Sequence, residues 1–159
     1  MDDRSESMAS LQESIALEIK TARTKRNKML FVVVSRISQV ELQRAIHQME
    51  IPILNVGLLL SEQLRLLPPE KRPFEVGRIL RSLLAGENKN VVFLDRIEYL
   101  FDTELKQNPV RLFENLSGNK TLIVHWPGTL ESGSLTYATP EHPEYYQSDN
   151  SYSSYVIEI

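Results

Sequence analysis

The chain has 159 residues, 42% of them hydrophobic and 25% charged, with a formal net charge of -3, the profile of one globular domain able to bury roughly two thirds of its unfolded surface. It has no cysteine, which excludes disulfides, thiolate metal sites, cysteine nucleophiles and thiol redox chemistry. The slight acidity carries no global signature of nucleic-acid or anionic-membrane binding, no apolar run reaches the roughly 18 residues of a membrane span, and the polar start lacks a signal core, so a cytoplasmic protein without membrane contact is expected.

Residues 8–26 place Met8, Leu11, Ile15, Ile19 and Ala22 at helical spacing, which predicts an amphipathic N-terminal helix, read as a unit spanning 1–27. Its end is basic, with Lys20, Arg23, Lys25, Arg26 and Lys28. These cations suit a helix C-terminus and are also candidate contacts for nucleic-acid phosphates. Met29 to Val34 is a continuous apolar run, as in a strand covered on both faces. Ser38 to Met49 reads as a helix, with Ser38 as N-cap and Glu41 completing a capping box.

Ile51 to Val56 is a second strand, stopped by Gly57. Residues 58–67 and 74–85 are expected to be helical on either side of Pro68-Pro69-Glu70-Lys71-Arg72-Pro73, and Gly86 ends the second helix. Val91 to Leu94 is the third strand. A short helical stretch with Ile97, Tyr99, Leu100 and Phe101 follows, then a helix from Pro109 to Leu116 and a fourth strand from Thr121 to Trp126. Ser134 to Ala138 adds one more strand. The polar tail, 147–159, is too poor in apolar residues through Tyr155 to bury much and is expected to be mobile or bound to a partner. Tyr155 to Ile159 alternates like a strand; a disordered end is the other reading.

Strands alternating with helices predict an α/β domain over 28–146, a three-layer sandwich with a mainly parallel central sheet. In such folds ligands bind outside the carboxyl ends of the strands. Those ends carry Ser35 and Arg36, Asn55 and Gly57, Asp95, and His125 and Trp126.

The run Val91 to Glu98 reads like the metal-site strand of a phosphate-loop hydrolase, where a buried strand delivers a carboxylate to a magnesium ion. Asp95 is the candidate metal acid, with capping of the following turn as its other reading. Glu98 is the candidate catalytic acid that polarises water, against a plain solvated face. The position directly after Asp95, where many such ATPases carry that glutamate, is Arg96. The partner motif, G-x-x-x-x-G-K-[ST], holds phosphates with backbone amides and lysine. The matching turn, Val33 to Val40, has no glycine and no lysine. Gln39 and Val40 stand at the lysine and hydroxyl positions, and valine does not coordinate magnesium. Ser35, Arg36, Ser38 and Gln39, with the free amides of the helix start, are the residual anion-binding candidates. His125 is the candidate γ-phosphate sensor or a structural histidine, and neither His47 nor His142 completes a triad or zinc motif.

Pro52-Ile53-Leu54-Asn55-Val56-Gly57, Asp95-x-Ile97-Glu98-x-Leu100-Phe101-Asp102, Pro109-x-Arg111-Leu112, Trp126-Pro127-Gly128 and Leu135-Thr136-Tyr137-Ala138-x-Pro140-x-His142-Pro143-Glu144-Tyr145 together resemble the BrxF family, the small phosphate-loop proteins of type 3 BREX phage-defence systems. The resemblance covers about residues 28–146. It implies a phosphate-loop NTPase-like fold, the acidic roles for Asp95 and Glu98, and a bacterial protein working beside larger defence proteins; the degenerate phosphate loop is where this sequence departs from the family. No lysine or magnesium-binding hydroxyl carries over to Gln39 or Val40. The combined expectation is a non-catalytic or weakly nucleotide-binding subunit with no cofactor, acting with other BREX proteins, with self-association and DNA contact left open. One alternative is an ATP hydrolase using ATP and magnesium, completed by a neighbouring subunit's cation. The other is a small nucleic-acid-binding adaptor using the basic residues.

Overall fold

The structure is a computed structural model that describes residues 3–159. It opens with α1 (Asp3–Ala22), β1 (Met29–Val33), α2 (Gln39–Gln48), β2 (Ile53–Asn55), α3 (Val56–Leu64) and α4 (Arg72–Ala85). Then come β3 (Val91–Asp95), α5 (Pro109–Leu116), β4 (Thr121–Trp126), β5 (Thr129–Glu131), β6 (Ser134–Tyr137), β7 (Tyr146–Gln147) and β8 (Val156–Glu158). Five strands form a wholly parallel sheet in the order β2-β3-β4-β1-β8, and β5, β6 and β7 form a small antiparallel sheet. The α/β class and the parallel central sheet are as the alternating pattern predicts. No helix among the described residues is long and apolar enough to cross a membrane.

Burial explains the strand order. Every residue of β1 and of β4 is buried, as central parallel strands require, while β2 is half exposed at an edge. Side-chain alternation sends Leu30, Val32, Phe93 and Ile123 to the face covered by α1 and α2. Phe31, Val92, Leu94, Val124 and Trp126 point to the face covered by α3, α4 and α5. Right-handed crossovers account for the division, because β1 to β2 runs one way across the sheet and β2 to β3 to β4 returns the other way. The helix α1 belongs to the first layer, where the fully buried Ile15 and the nearly buried Ile19 each contribute roughly 1.5–3 kcal/mol of burial.

Three boundaries differ from expectation for local reasons. The first helix ends at Ala22, so Arg23 to Lys28 form a loop beyond it rather than its last turn. The second strand is shorter and passes straight into α3, because the Asn55 side chain caps that helix by accepting from the Leu58 amide at 3.0 Å. Gly57 therefore lies inside the helix and stops nothing. A Cβ there would meet the Arg96 carbonyl oxygen at 2.9 Å, the same oxygen that accepts from the Gly57 amide at 2.8 Å, so a side chain is excluded by the close approach of two loops.

The tail is the larger correction. Residues 150–155 form a short 3-10 helix, and β8 pairs parallel to β1, so the terminal segment is an ordered edge strand of the main sheet. Hydrogen bonds replace the missing apolar area. The Tyr152 hydroxyl donates to Glu114 at 2.6 Å, Asp149 caps the 3-10 turn, and the Lys25 ammonium donates to the Ser154 carbonyl while lying 4.7 Å from the Tyr155 ring centre. The Trp-Pro-Gly segment leads from β4 into the small sheet, and Tyr137 of the Tyr-Ala segment ends its central strand β6. Trp126 donates its indole proton to the Thr136 carbonyl at 3.0 Å, Tyr137 stacks on Phe101 at 3.9 Å, and a Cβ at Gly128 would lie 1.8 Å from the Thr136 oxygen.

Candidate functional site

The carboxyl edge of the sheet is where this topology presents chemistry. Strand β3 ends in Asp95 and strand β4 brings His125 beside it, one step beyond the paired Leu94 and Val124. Alternation turns both side chains to the α2 face. His125 Nδ1 lies 2.9 Å from Asp95 Oδ1, which also accepts from the Arg96 amide at 2.9 Å, and Gln43 Nε2 donates to Asp95 Oδ2 at 2.5 Å. Asp95 is 3% exposed and His125 8%. The imidazole is further held against the Phe93 ring, centre to centre 6.2 Å.

Burial by itself pushes the Asp95 carboxyl upward in pKa. The hydrogen bonds from His125 and Gln43, the charge of His125 and the Arg96 amide outweigh it and hold Asp95 below its ordinary value of 3.8. An ionised carboxylate accepts only, so it fixes the proton of His125 on Nδ1 and leaves Nε2 as the free ring nitrogen. No buried side-chain polar atom among the described residues lacks a partner. The arrangement is a hydrogen-bonded network around one carboxylate that orients one imidazole.

The same hydrogen bonds surround the candidate metal acid. Three donors engage its oxygens, two on Oδ1 and one on Oδ2, and no group of three or more potential ligands able to hold a metal occurs among the described residues. Glu98 does not join the network. It is exposed at the start of the 3-10 helix Glu98–Phe101, and its charge raises the pKa of Tyr137, which burial pushes up first and which packs on the other face of the sheet. The two acids of the motif therefore have different surroundings, Asp95 buried and hydrogen-bonded and Glu98 exposed.

The turn after β1 is occupied from within the chain. The amides of Ser35 and Arg36 both donate to the main-chain oxygen of Ile159, at 2.6 and 2.9 Å, while the Ile159 amide donates to Val33 at 2.9 Å. Two neighbouring amides on one oxygen is the local arrangement by which a phosphate loop holds an anion; here the acceptor is the residue following β8. Ser38 caps α2, accepting from the Glu41 amide at 3.1 Å, and its hydroxyl reaches the Glu41 carboxylate at 3.3 Å. Ser35, Arg36, Ser38 and Gln39 are exposed, and Val40 is 62% exposed.

The expected residues thus separate. Asp95 and His125 come together, Ser35 to Gln39 line the adjacent turn, and Glu98 stands apart. The basic residues lie at the opposite edge of the sheet, with Lys25 engaged by the tail. Gln43 and Ile159 were not foreseen. Gln43 had as its only signal a polar residue beside Leu42 in an amphipathic helix, and Ile159 acts through its backbone, which leaves no trace in residue type. Comparison with protein-family models, with curated proteins and with solved structures finds no match for this chain.

Proposed function

We propose that the chain is a phosphate-loop-like subunit that neither grips nor hydrolyses nucleotide, and that it acts by assembly with other proteins of a bacterial BREX-type phage-resistance system. The sequence resemblance over 28–146 supports the system. The strand order supports the phosphate-loop comparison, because β4 lies between β1 and β3 and sets the 34–38 turn, His125 and Asp95 in line. In that layout they correspond to the phosphate turn, the sensor and the metal acid of the resemblance.

The loss of function in the turn rests on one observation above all. The Ser35 and Arg36 amides, placed where a phosphate would be cradled, are spent on Ile159. With no glycine to reshape the turn and no lysine to neutralise β and γ phosphates, nucleotide has neither the amides nor the charge it needs. Asp95 then serves to hold His125 and Gln43, and the carboxyl edge is an interaction scaffold.

Titration calorimetry of the purified chain with ATP and magnesium at millimolar nucleotide is expected to give no binding heat; tight magnesium-dependent binding would overturn this reading. Deleting the gene from a host that carries such a defence cluster is expected to raise phage plating. Unchanged plating would remove the assignment to the system.

A further inference from the structure

Three loops enter the parallel sheet at its amino edge. Residues 23–28 lead into β1, 86–90 into β3 and 117–120 into β4, and since β4 lies between the other two the loops emerge side by side, opposite Asp95. Backbone bonds tie them together. The Leu122 amide donates to Lys28 at 2.9 Å and the Thr121 amide to Asn90 at 2.8 Å. The Lys120 ammonium reaches the carbonyls of Glu87 and Lys89 at 2.6 and 2.7 Å.

The juxtaposition joins Arg23, Arg26, Lys28, Lys89 and Lys120 into one basic surface, next to Lys20 in the last turn of α1. Among the acids nearby, Glu114 is already held by Tyr152, with Asn27 at 3.5 Å, and Glu87 lies within the second loop, lining an open groove with Lys89 and Glu50. Arg23, Arg26 and Lys89 are exposed, whereas Lys25 is turned to the tail. A chain of net charge -3 thus carries a local cationic edge assembled from segments far apart in sequence.

We propose that this amino edge binds the sugar-phosphate backbone of a nucleic-acid duplex. The cations are interleaved with Thr24, Asn27, Asn88, Asn90 and Asn119, whose hydroxyl and amide groups suit phosphate oxygens. The three loops contain no aromatic residue, and of the neighbouring tail tyrosines Tyr155 lies against the Lys25 ammonium and Tyr152 is bound to Glu114, so no free row of rings is offered to unpaired bases. None of the large exposed hydrophobics, Leu17, Val40, Ile53, Leu58, Leu66 and Phe74, lies in them. Such apolar anchors mark a membrane-inserting surface or the buried core of a protein interface. Adjacent strands are roughly 4.8 Å apart, so the three entry points spread over about 10 Å, of the order of a groove width. The proposal is independent of the nucleotide reading, since it concerns the other end of every strand.

The test is fluorescence anisotropy of the full chain with a short labelled duplex DNA of mixed sequence, titrated over a range of salt. Wild type is expected to bind at low salt, with log affinity falling linearly against log salt. The triple variant R23Q, R26Q, K89Q changes only exposed side chains. It is expected to keep the wild-type circular dichroism and Tm, to weaken low-salt binding by about tenfold or more, and to flatten the slope by about 0.9 per lost contact. R81Q, an exposed cation of α4, is the control and is expected to leave both unchanged. Absence of duplex binding at low salt overturns the proposal. So does an unchanged slope in the folded triple variant, an equal loss in R81Q, or a preference for single-stranded DNA or anionic phospholipid vesicles over the duplex.

Discussion

The two edges of the central sheet are built from the same strands and treat their polar groups in opposite ways. At the carboxyl edge the carboxylate, the imidazole Nδ1 and the turn amides are engaged by one another or by Ile159. At the amino edge Arg23, Arg26 and Lys89 are left in solvent. A charge pattern that looks dilute along the sequence becomes concentrated once parallel strands bring the entry loops of β1, β3 and β4 together. A carboxylate that looks like a lone metal acid along the sequence is bracketed by His125, Gln43 and the Arg96 amide in the fold.

The comparison breaks most sharply at Asp95. Asp95→Ala leaves His125 and Gln43 without their acceptor in a buried setting and is expected to cost about 3–5 kcal/mol in denaturant unfolding. Asp95→Asn, which keeps the shape and one acceptor, is expected to cost less. A stability change near zero for the alanine variant would show that the network is incidental and return Asp95 to the role of an idle metal acid.

Protonation gives a gentler test that separates the bracket from the tail. Asp95 has a lowered folded pKa, so its contribution is fully present above its ordinary value of 3.8 and is lost as pH falls through the lower folded value. Tyr146 and Tyr152 have the opposite sign. Burial first, and for Tyr152 its hydrogen bond to Glu114, pushes each from 10.0 up to about 12. Their contribution is full below pH 10.0 and is lost as pH rises toward about 12. Stability measured across both limbs, with phenolate absorbance reporting the alkaline one, is expected to fall at each end. If the alkaline limb is flat, the tail that carries Ile159 to the turn is not held by its tyrosines.

Much of the architecture was readable before any contact was known. The buried runs at Met29 to Val33 and Thr121 to Trp126, the Pro109 helix start and the Ser38 cap are local signals, set by apolar continuity and turn chemistry, and they fall where periodicity placed them. Asn55 defeated the reading of Gly57 because a capping side chain moved the helix start two residues earlier than the glycine suggested. The tail defeated the compositional rule because the Tyr152 hydroxyl found Glu114 and the Ser154 carbonyl found Lys25, the latter more than a hundred positions away.

The site was legible only in part. Asp95 and His125 stood out as polar residues ending apolar strands, and alternation alone turns them to one face once their strands are neighbours. That β3 and β4 are neighbours, that Gln43 closes the carboxylate, and that Ile159 takes the Ser35 and Arg36 amides are long-range facts. By itself the sequence determined the α/β class, the strands of the core and the absence of glycine and lysine from the turn, because these depend on residue type and short spacing. Tertiary structure alone decided that the carboxyl edge is closed and the amino edge cationic, since both depend on which distant loops and strands a parallel sheet brings within hydrogen-bonding reach.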